Sequence, residues 1–331
     1  MRKQSRTAGS LAGLTAVVTG GSRGLGLLIG GELAARGCAV TIAARDADEL
    51  SRAADLLEER GQGSVRTAVC DVRERDEVEA LFTSTAQACG GVDIVVANAG
   101  VIEVAPVDAI GADEFDEAMG TMFGGALHTS LAALPHLRRS PAGGRLALIG
   151  SIGGLLAVPH LLPYSCAKYA VAALAEGLHT EEAQRGVSVT AVHPGLMRTG
   201  SHGQAEFGGD ARREFAWFSA LAGTPLVSMD AERAASRIVA AVARRRPRIV
   251  LTPAGKAADL LHGIAPVTVT RLSGIAARAL PDADGAEGGL RKGRDITERP
   301  RGVGERLRAW GSALNDRAAV RLNQHAPKTR P

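Results

Sequence analysis

"TGGSRGLG", residues 19–26, decides how the chain folds. It directly follows the β-branched run "LTAVVTG" (14–20) and opens the apolar stretch "GLLIGGELAARG" (26–37), so a strand enters the loop and a helix leaves it. Gly20 suits a sharp turn, Gly24 lets the backbone approach an anion, and Gly26 lets the helix pack on the strand. The amides of the first helical turn then face a negative group, the arrangement that holds a diphosphate. Thr19, Ser22, Arg23 and Leu25 complete this candidate phosphate loop.

Working outward, the strand-then-helix unit repeats. "AVTIAAR" (39–45) precedes the helical "ADELSRAADLLEERG" (47–61), and "SVRTAVCD" (64–71) precedes "RDEVEALFTSTAQACG" (75–90). "VDIVVANAG" (92–100) leads to a long helical region, 113–139; "RLALIGS" (145–151) leads to a helix over 163–185, then "VSVTAVHPG" (187–195), a helix over 229–245 and a last strand in "PRIVLTP" (247–253). Such alternation predicts an α/β fold: a Rossmann-type, doubly wound parallel sheet flanked by helices, with ligands bound beyond the carboxyl ends of the strands. Composition agrees. Of 331 residues 45% are hydrophobic, only 3% are aromatic and 41 are glycine, which suits Ala-, Val- and Leu-rich helices packed on a buried sheet.

The net charge of +4 is spread along the chain with no aromatics interleaved among the basic residues, which argues against nucleic-acid binding. Cys38, Cys70, Cys89 and Cys166 show no metal or redox spacing and read as buried free thiols of a reducing compartment. The histidines lack paired helical spacing, so no metal site is expected. His160 is either pocket-lining or a surface residue. The basic first ten residues carry no signal-peptide apolar run and nothing reaches membrane-spanning length, so a cytoplasmic protein is expected.

A dinucleotide in this fold places its adenosine ribose at the end of the second strand, where an acid would bind the 2′-hydroxyl of NAD. Here that strand ends Ala43, Ala44, Arg45. Arg45, helped by Arg23, is placed for a 2′-phosphate, which favours NADP(H) over NAD(H); otherwise Arg45 is an exposed turn residue. Asp71, followed by Val72, ends the third strand and either accepts from the adenine amino group or caps a helix. In "PYSCAK" (163–168), Tyr164 and Lys168 stand four apart and share one helix face. A neighbouring ammonium favours the phenolate, making Tyr164 an acid or base usable near neutral pH. Ser151, at the end of the fifth strand, would point its hydroxyl into the same crevice.

With these residues in hand, the sequence resembles the short-chain dehydrogenase/reductase family over about 11–253, through "TGGSRGLG", "CDV" (70–72), "ANAG" (97–100), Ser151, "YSCAK" and "HPGLMRT" (193–199). The resemblance implies hydride transfer between NADP(H) and a carbonyl or alcohol carbon. Tyr164 would protonate the oxygen, Lys168 would bind the ribose, Asn98, Ala99 and Gly100 would line the adenosine side, and Pro194, Gly195 and Thr199 would close over the nicotinamide amide. Relatives are often dimers or tetramers, so a homo-oligomer is expected. One departure stands out: Met122 falls where many relatives have an asparagine that supports a water beside the lysine, and methionine cannot anchor a water that way. Gly124 and Gly125 suggest close backbone approach in that helix.

Three regions follow: residues 1–10 as a flexible terminus, 11–253 as the catalytic domain with a lid over 196–224, and 254–331 as a helical extension. Apolar residues 152–163 and the lid aromatics Phe207, Phe215, Trp217 and Phe218 point to a lipophilic substrate. In the extension, an apolar helical stretch (256–281) would lie on the domain, on a dimer partner or on a membrane surface, a linker follows (282–304), and the basic segment 305–324 would do the same through Leu307, Trp310, Leu314 and Ala318. The expected function is an NADP(H)-dependent oxidoreductase of lipophilic alcohol/carbonyl pairs. The rival is a cofactor-binding regulatory or scaffold protein of the same fold with weak or no turnover, and an isomerase or dehydratase on this scaffold is a third.

Overall fold

The computed structural model describes residues 10–60, 65–224, 228–281, 289–296, 315 and 317–324. In chain order the first half runs β1 (Thr15–Thr19), α1 (Gly24–Ala35), β2 (Ala39–Ala44), α2 (Ala47–Glu59), β3 (Val65–Val69), α3 (Arg75–Cys89), β4 (Ile94–Ala97), the short β5 (Glu103–Val104), α4 (Ala112–Ala118) and α5 (Gly125–Arg138). Then come β6 (Arg145–Ile149), α6 (Leu162–Glu182), β7 (Ser188–His193), β8 (Leu196–Arg198), β9 (Glu206–Phe207), α7 (Ala211–Gly223), β10 (Ser228–Asp230), α8 (Ala231–Ala243), β11 (Arg248–Val250), α9 (Pro253–Ile264), α10 (Pro266–Ala277) and β12 (Arg291–Lys292).

Seven strands form one parallel sheet in the order β3-β2-β1-β4-β6-β7-β11. Successive residues of a strand point to opposite faces, and here both faces are buried. Ala16 and Val18 of β1 and Ala147 and Ile149 of β6 pack under α1, α2 and α8. Val17, Leu146 and Leu148 pack under α3, α5 and α6. The chain turns outward from β1 to β3 and resumes at β4, so the strand order reverses between β1 and β4. That opens a crevice at their carboxyl ends.

Several expectations change. The helical region 113–139 is two helices joined by a π-helical turn, Met119–Gly124. Close approach holds at Gly125, where a Cβ would press on Val72, but not at Gly124. The apolar stretch 256–281 is a pair of helices broken at Ala265, because the residue before Pro266 is driven out of helical geometry. This pair does not lie on the domain: Gly255 is its only buried residue, and Leu260, Leu261, Ile264, Val267, Leu272 and Ile275 are exposed. Part of the expected linker is structured instead, with β12 pairing antiparallel to β9, which in turn runs parallel to β5. Ala318 is buried, whereas Leu307, Trp310 and Leu314, and residues 1–9, lie outside the described residues. Of the four free thiols, Cys38 and Cys70 are buried, Cys89 is half-buried and Cys166 is exposed, since it faces outward from α6. Among the described residues no helix is long and apolar enough to cross a membrane.

Candidate active site

The crevice is a cavity of about 560 Å³ that gathers the sequence-predicted residues. Gly20, Ser22, Arg23, Gly24, Leu25 and Gly26 line it from the β1–α1 loop, and Arg45 lines it from the end of β2. Asp71 and Val72 follow β3, Asn98, Ala99 and Gly100 follow β4, and Ser151, Tyr164, Lys168, Pro194, Gly195 and Thr199 complete the opposite wall. Thr19 is the exception. It is buried behind the loop, where its hydroxyl accepts the Asn98 backbone N–H at 3.1 Å. Asn98 in turn donates its side-chain amide to the carbonyls of Thr19 and Gly20, at 3.2 and 3.0 Å. These bonds tie β4 to the glycine loop. At Gly26 a Cβ would overlap the Gly20 carbonyl oxygen, so α1 reaches the strand this closely only with glycine there.

Ser151 stands two residues past the end of β6, its hydroxyl oxygen accepting from the Gly153 amide at 3.0 Å and hydrogen-bonding the phenol of Tyr164. Tyr164 and Lys168 share one face of α6, the ammonium lying 5.7 Å from the ring centroid. Burial pushes the phenol up, and the bond from Ser151 pulls it back. Lys168 is itself buried, which drives its ammonium down to about 8, and it donates to the Ile149 carbonyl at 2.8 Å. Met122 is 1% exposed, packed with Ala118 and Ala167 against Tyr164. Behind Ser151, His193 is fully buried: Nδ1–H donates to the Ser151 carbonyl at 3.3 Å, Nε2 has no partner among the described residues, and burial lowers the ring to about 4.

At the adenosine end, Arg23 pairs with Glu49 at 2.9 Å, and Glu49 also accepts from the Ser22 hydroxyl. Against the upward push of burial, hydrogen bonds from Arg73 hold the Asp71 carboxyl below its usual range. Asp71 also accepts the Arg73 amide, while Arg45 meets it only at 3.9 Å and is 54% exposed. Asp46, next to Arg45, caps α2.

The lid expectation is altered. Phe207 packs edge-on against Phe215 and Phe218, with centroids 5.3 and 5.9 Å apart, and Trp217 packs on Phe218, so these rings hold the lid together and none lines the cavity. His160 neither lines the pocket nor sits free on the surface. Its ring N–H donates to buried Glu214 at 2.8 Å, and Glu214 also accepts from the Trp217 indole, which ties the loop after β6 to α7. The substrate end is instead lined by Val101, Ile102, Glu103, Glu117, Ala205 and Glu206, with Lys292 and Arg294 arriving from the far C-terminal part. Sequence reasoning missed Glu103, Arg52, Gln324 and the last two cations. Glu103, three residues past "ANAG", was the nearest to a local signal.

A family model described as short chain dehydrogenase matches residues 14–206, more than half of the chain. The chain belongs to the short-chain dehydrogenase family. It is an oxidoreductase of that type, and membership implies a nicotinamide cofactor. An uncharacterized oxidoreductase of Staphylococcus aureus (strain MRSA252) is 35% identical over 184 residues, covering 56% of this chain and 78% of that protein. One from Staphylococcus saprophyticus is 32% identical over 193 residues, covering 58% and 82%. Among solved structures, a putative short-chain alcohol dehydrogenase from Sinorhizobium meliloti 1021 superposes with a TM-score of 0.65 at 26% identity, over 76% of this chain and 99% of that one. A short chain dehydrogenase from Mycobacterium paratuberculosis bound to NAD gives 0.65 at 25%, over 75% and 99%. The residues of this short-chain dehydrogenase fit a dinucleotide: Gly20, Gly24 and Gly26 leave the loop without bulky side chains of its own at the start of α1, and arginines stand where the adenosine end would lie.

Proposed function

We propose that this short-chain dehydrogenase is an NADP(H)-dependent oxidoreductase acting on a carbonyl/alcohol pair, with Tyr164 as the acid/base. The observation that carries this is the meeting of Ser151, Tyr164 and Lys168 across one crevice from the glycine loop. When bound, the nicotinamide supplies the hydride to a carbonyl carbon or takes one from an alcohol carbon. In reduction, the Ser151 hydroxyl donates to the carbonyl oxygen and Tyr164 hands over its phenolic proton, leaving a phenolate. The Lys168 ammonium stabilises that phenolate and holds the nicotinamide ribose, and solvent restores the proton. Asn98, Ala99 and Gly100 flank the adenosine, and Pro194, Gly195 and Thr199 close over the carboxamide.

The preference for NADP(H) is supported by the absence of an acid at the end of β2 and by Arg23, Arg45 and Arg52 at the adenosine end. Arg45, the most loosely paired there, is the residue assigned to the 2′-phosphate. Support for a lipophilic substrate narrows to Val101, Ile102, Met197 and Ala205 on the cavity wall, since the lid aromatics turn away. The catalytic unit is 11–253 with its lid over 196–224, and 254–331 is an extension. In the extension, the exposed apolar residues of α9–α10 with Lys256, Arg271 and Arg278 suit peripheral contact with an anionic membrane surface, and a second copy in a homo-oligomer is the competing cover. Location in the cytoplasm suits this reading. The test is NADPH and NADH oxidation over aliphatic, aromatic and terpenoid aldehydes and ketones. Consumption of NADPH with the apolar carbonyls supports the reading, and binding without turnover of any of them, in either direction, favours the scaffold alternative.

A further inference from the structure

The far C-terminal segment returns across more than two hundred residues to the glycine loop. Residues 317–321 are helical, and the chain then turns at Asn323, whose φ of 57° is a left-handed conformation that asparagine tolerates. The Leu322 carbonyl accepts the Gly24 amide at 3.0 Å. The Asn323 side chain donates to the carbonyls of Ser22 and Glu49, at 2.8 and 2.9 Å. Asn315, buried upstream, accepts from the Gly200 amide at 2.8 Å and donates to the His202 ring. Gln204 donates its amide to the Gln324 carbonyl at 2.7 Å. Contacts therefore reach the segment from both banks of the crevice, the glycine loop on one side and the strand-to-lid connection on the other.

Gln324 sits at the centre. It is 3% exposed, it lines the cavity, and its side-chain nitrogen lies 2.8 Å from where a Cβ on Gly24 would stand, with Thr199 just beyond. Its Oε1 is buried with no partner among the described residues. A buried carboxamide oxygen without a donor is costly, so the site is incomplete as it stands. A diphosphate offers acceptors only. The ribose hydroxyls beside it offer donors, and a carboxamide can serve both.

We infer that Asn315 and residues 317–324 form a clasp over the cofactor cleft and that Gln324 is a cofactor-binding residue, its Nε2 donating to the diphosphate and its Oε1 accepting from a neighbouring ribose hydroxyl. This rests on the proposed dinucleotide site. Docking of the tail and occupancy of the cleft are then coupled, each stabilising the other.

The test is direct titration of NADPH by fluorescence on the full chain, for the wild type, Gln324→Ala and Gln324→Glu, with thermal unfolding to show that all three are folded. Losing a hydrogen bond to a charged group weakens binding about tenfold in Gln324→Ala, and the carboxylate of Gln324→Glu weakens it further by repelling the diphosphate. In parallel, saturating NADPH slows tryptic cleavage after the exposed Arg317 and Arg321 of the wild type severalfold. Equal affinities in the three proteins with unaltered cleavage, or tighter binding by Gln324→Ala as expected of a plug, would overturn the clasp while leaving the dinucleotide site standing. Failure of all three to bind NADPH or NADH would instead remove the site on which it rests.

Discussion

Glu103 offers the sharpest energetic prediction. It is 4% exposed at the cavity edge, one carboxyl oxygen has no partner among the described residues, and burial, with Glu206, Glu114 and Glu117 nearby, raises it to about 7 from an ordinary 4.5. A carboxyl raised on folding binds its proton more tightly in the native state, so its contribution is fully present below pH 4.5 and is lost as pH rises towards and through 7. At about 1.4 kcal/mol per pH unit the loss is about 3 kcal/mol across that window. Wild-type stability alone would conceal part of this. Buried His193, lowered to about 4, gains stability with rising pH between about 4 and 6.5, the opposite slope over most of the same range. The difference between wild type and Glu103→Gln isolates the carboxyl, because the amide keeps the shape and cannot ionise. Urea unfolding of both proteins at pH 5, 6, 7 and 8 should show the variant gaining on the wild type by about 3 kcal/mol between the ends of the series. A difference that stays flat with pH, or one that favours the wild type at pH 8, would refute a protonated, buried Glu103.

Other predictions concern single contacts. Arg45→Ala should weaken NADPH binding about tenfold or more, by removing charge-assisted bonds to the 2′-phosphate, while leaving NADH little changed in the same titration. Arg138→Ala should lower stability by about 2 kcal/mol in denaturant unfolding, because Glu182 is almost fully buried and loses two bonds, one of them at 2.8 Å. Ile264→Ser combined with Leu261→Ser should release the protein from phosphatidylglycerol vesicles in a flotation assay while leaving NADPH binding intact; retention of both signals would turn the α9–α10 face towards a second copy instead.

What could be read from the sequence was what the chain encodes locally. The glycine loop, the four-residue step from Tyr164 to Lys168 and the β-branched runs each carry their meaning within a few residues, and the parallel sheet follows from their alternation. The lid aromatics were scarce and clustered, which signals packing as well as a pocket, and only their partners decide: Phe207, Phe215, Trp217 and Phe218 chose one another. Lys292, Arg294 and Gln324 reach the cavity from beyond the family's matched segment, in stretches without periodicity, so no spacing announced them. The single helix expected at 113–139 held two signals, and a substitution at Met122 gave no hint that the backbone there winds into a π turn, a feature that needs one extra residue rather than a particular one.

The most direct test of the account is NADPH consumption with a carbonyl that the wild type reduces, run beside Tyr164→Phe under conditions where both proteins are saturated with NADPH. Because the phenylalanine keeps the ring and removes only the hydroxyl, the account predicts retained NADPH affinity and a fall in kcat of at least about a hundredfold. Turnover by Tyr164→Phe at the wild-type rate would contradict it.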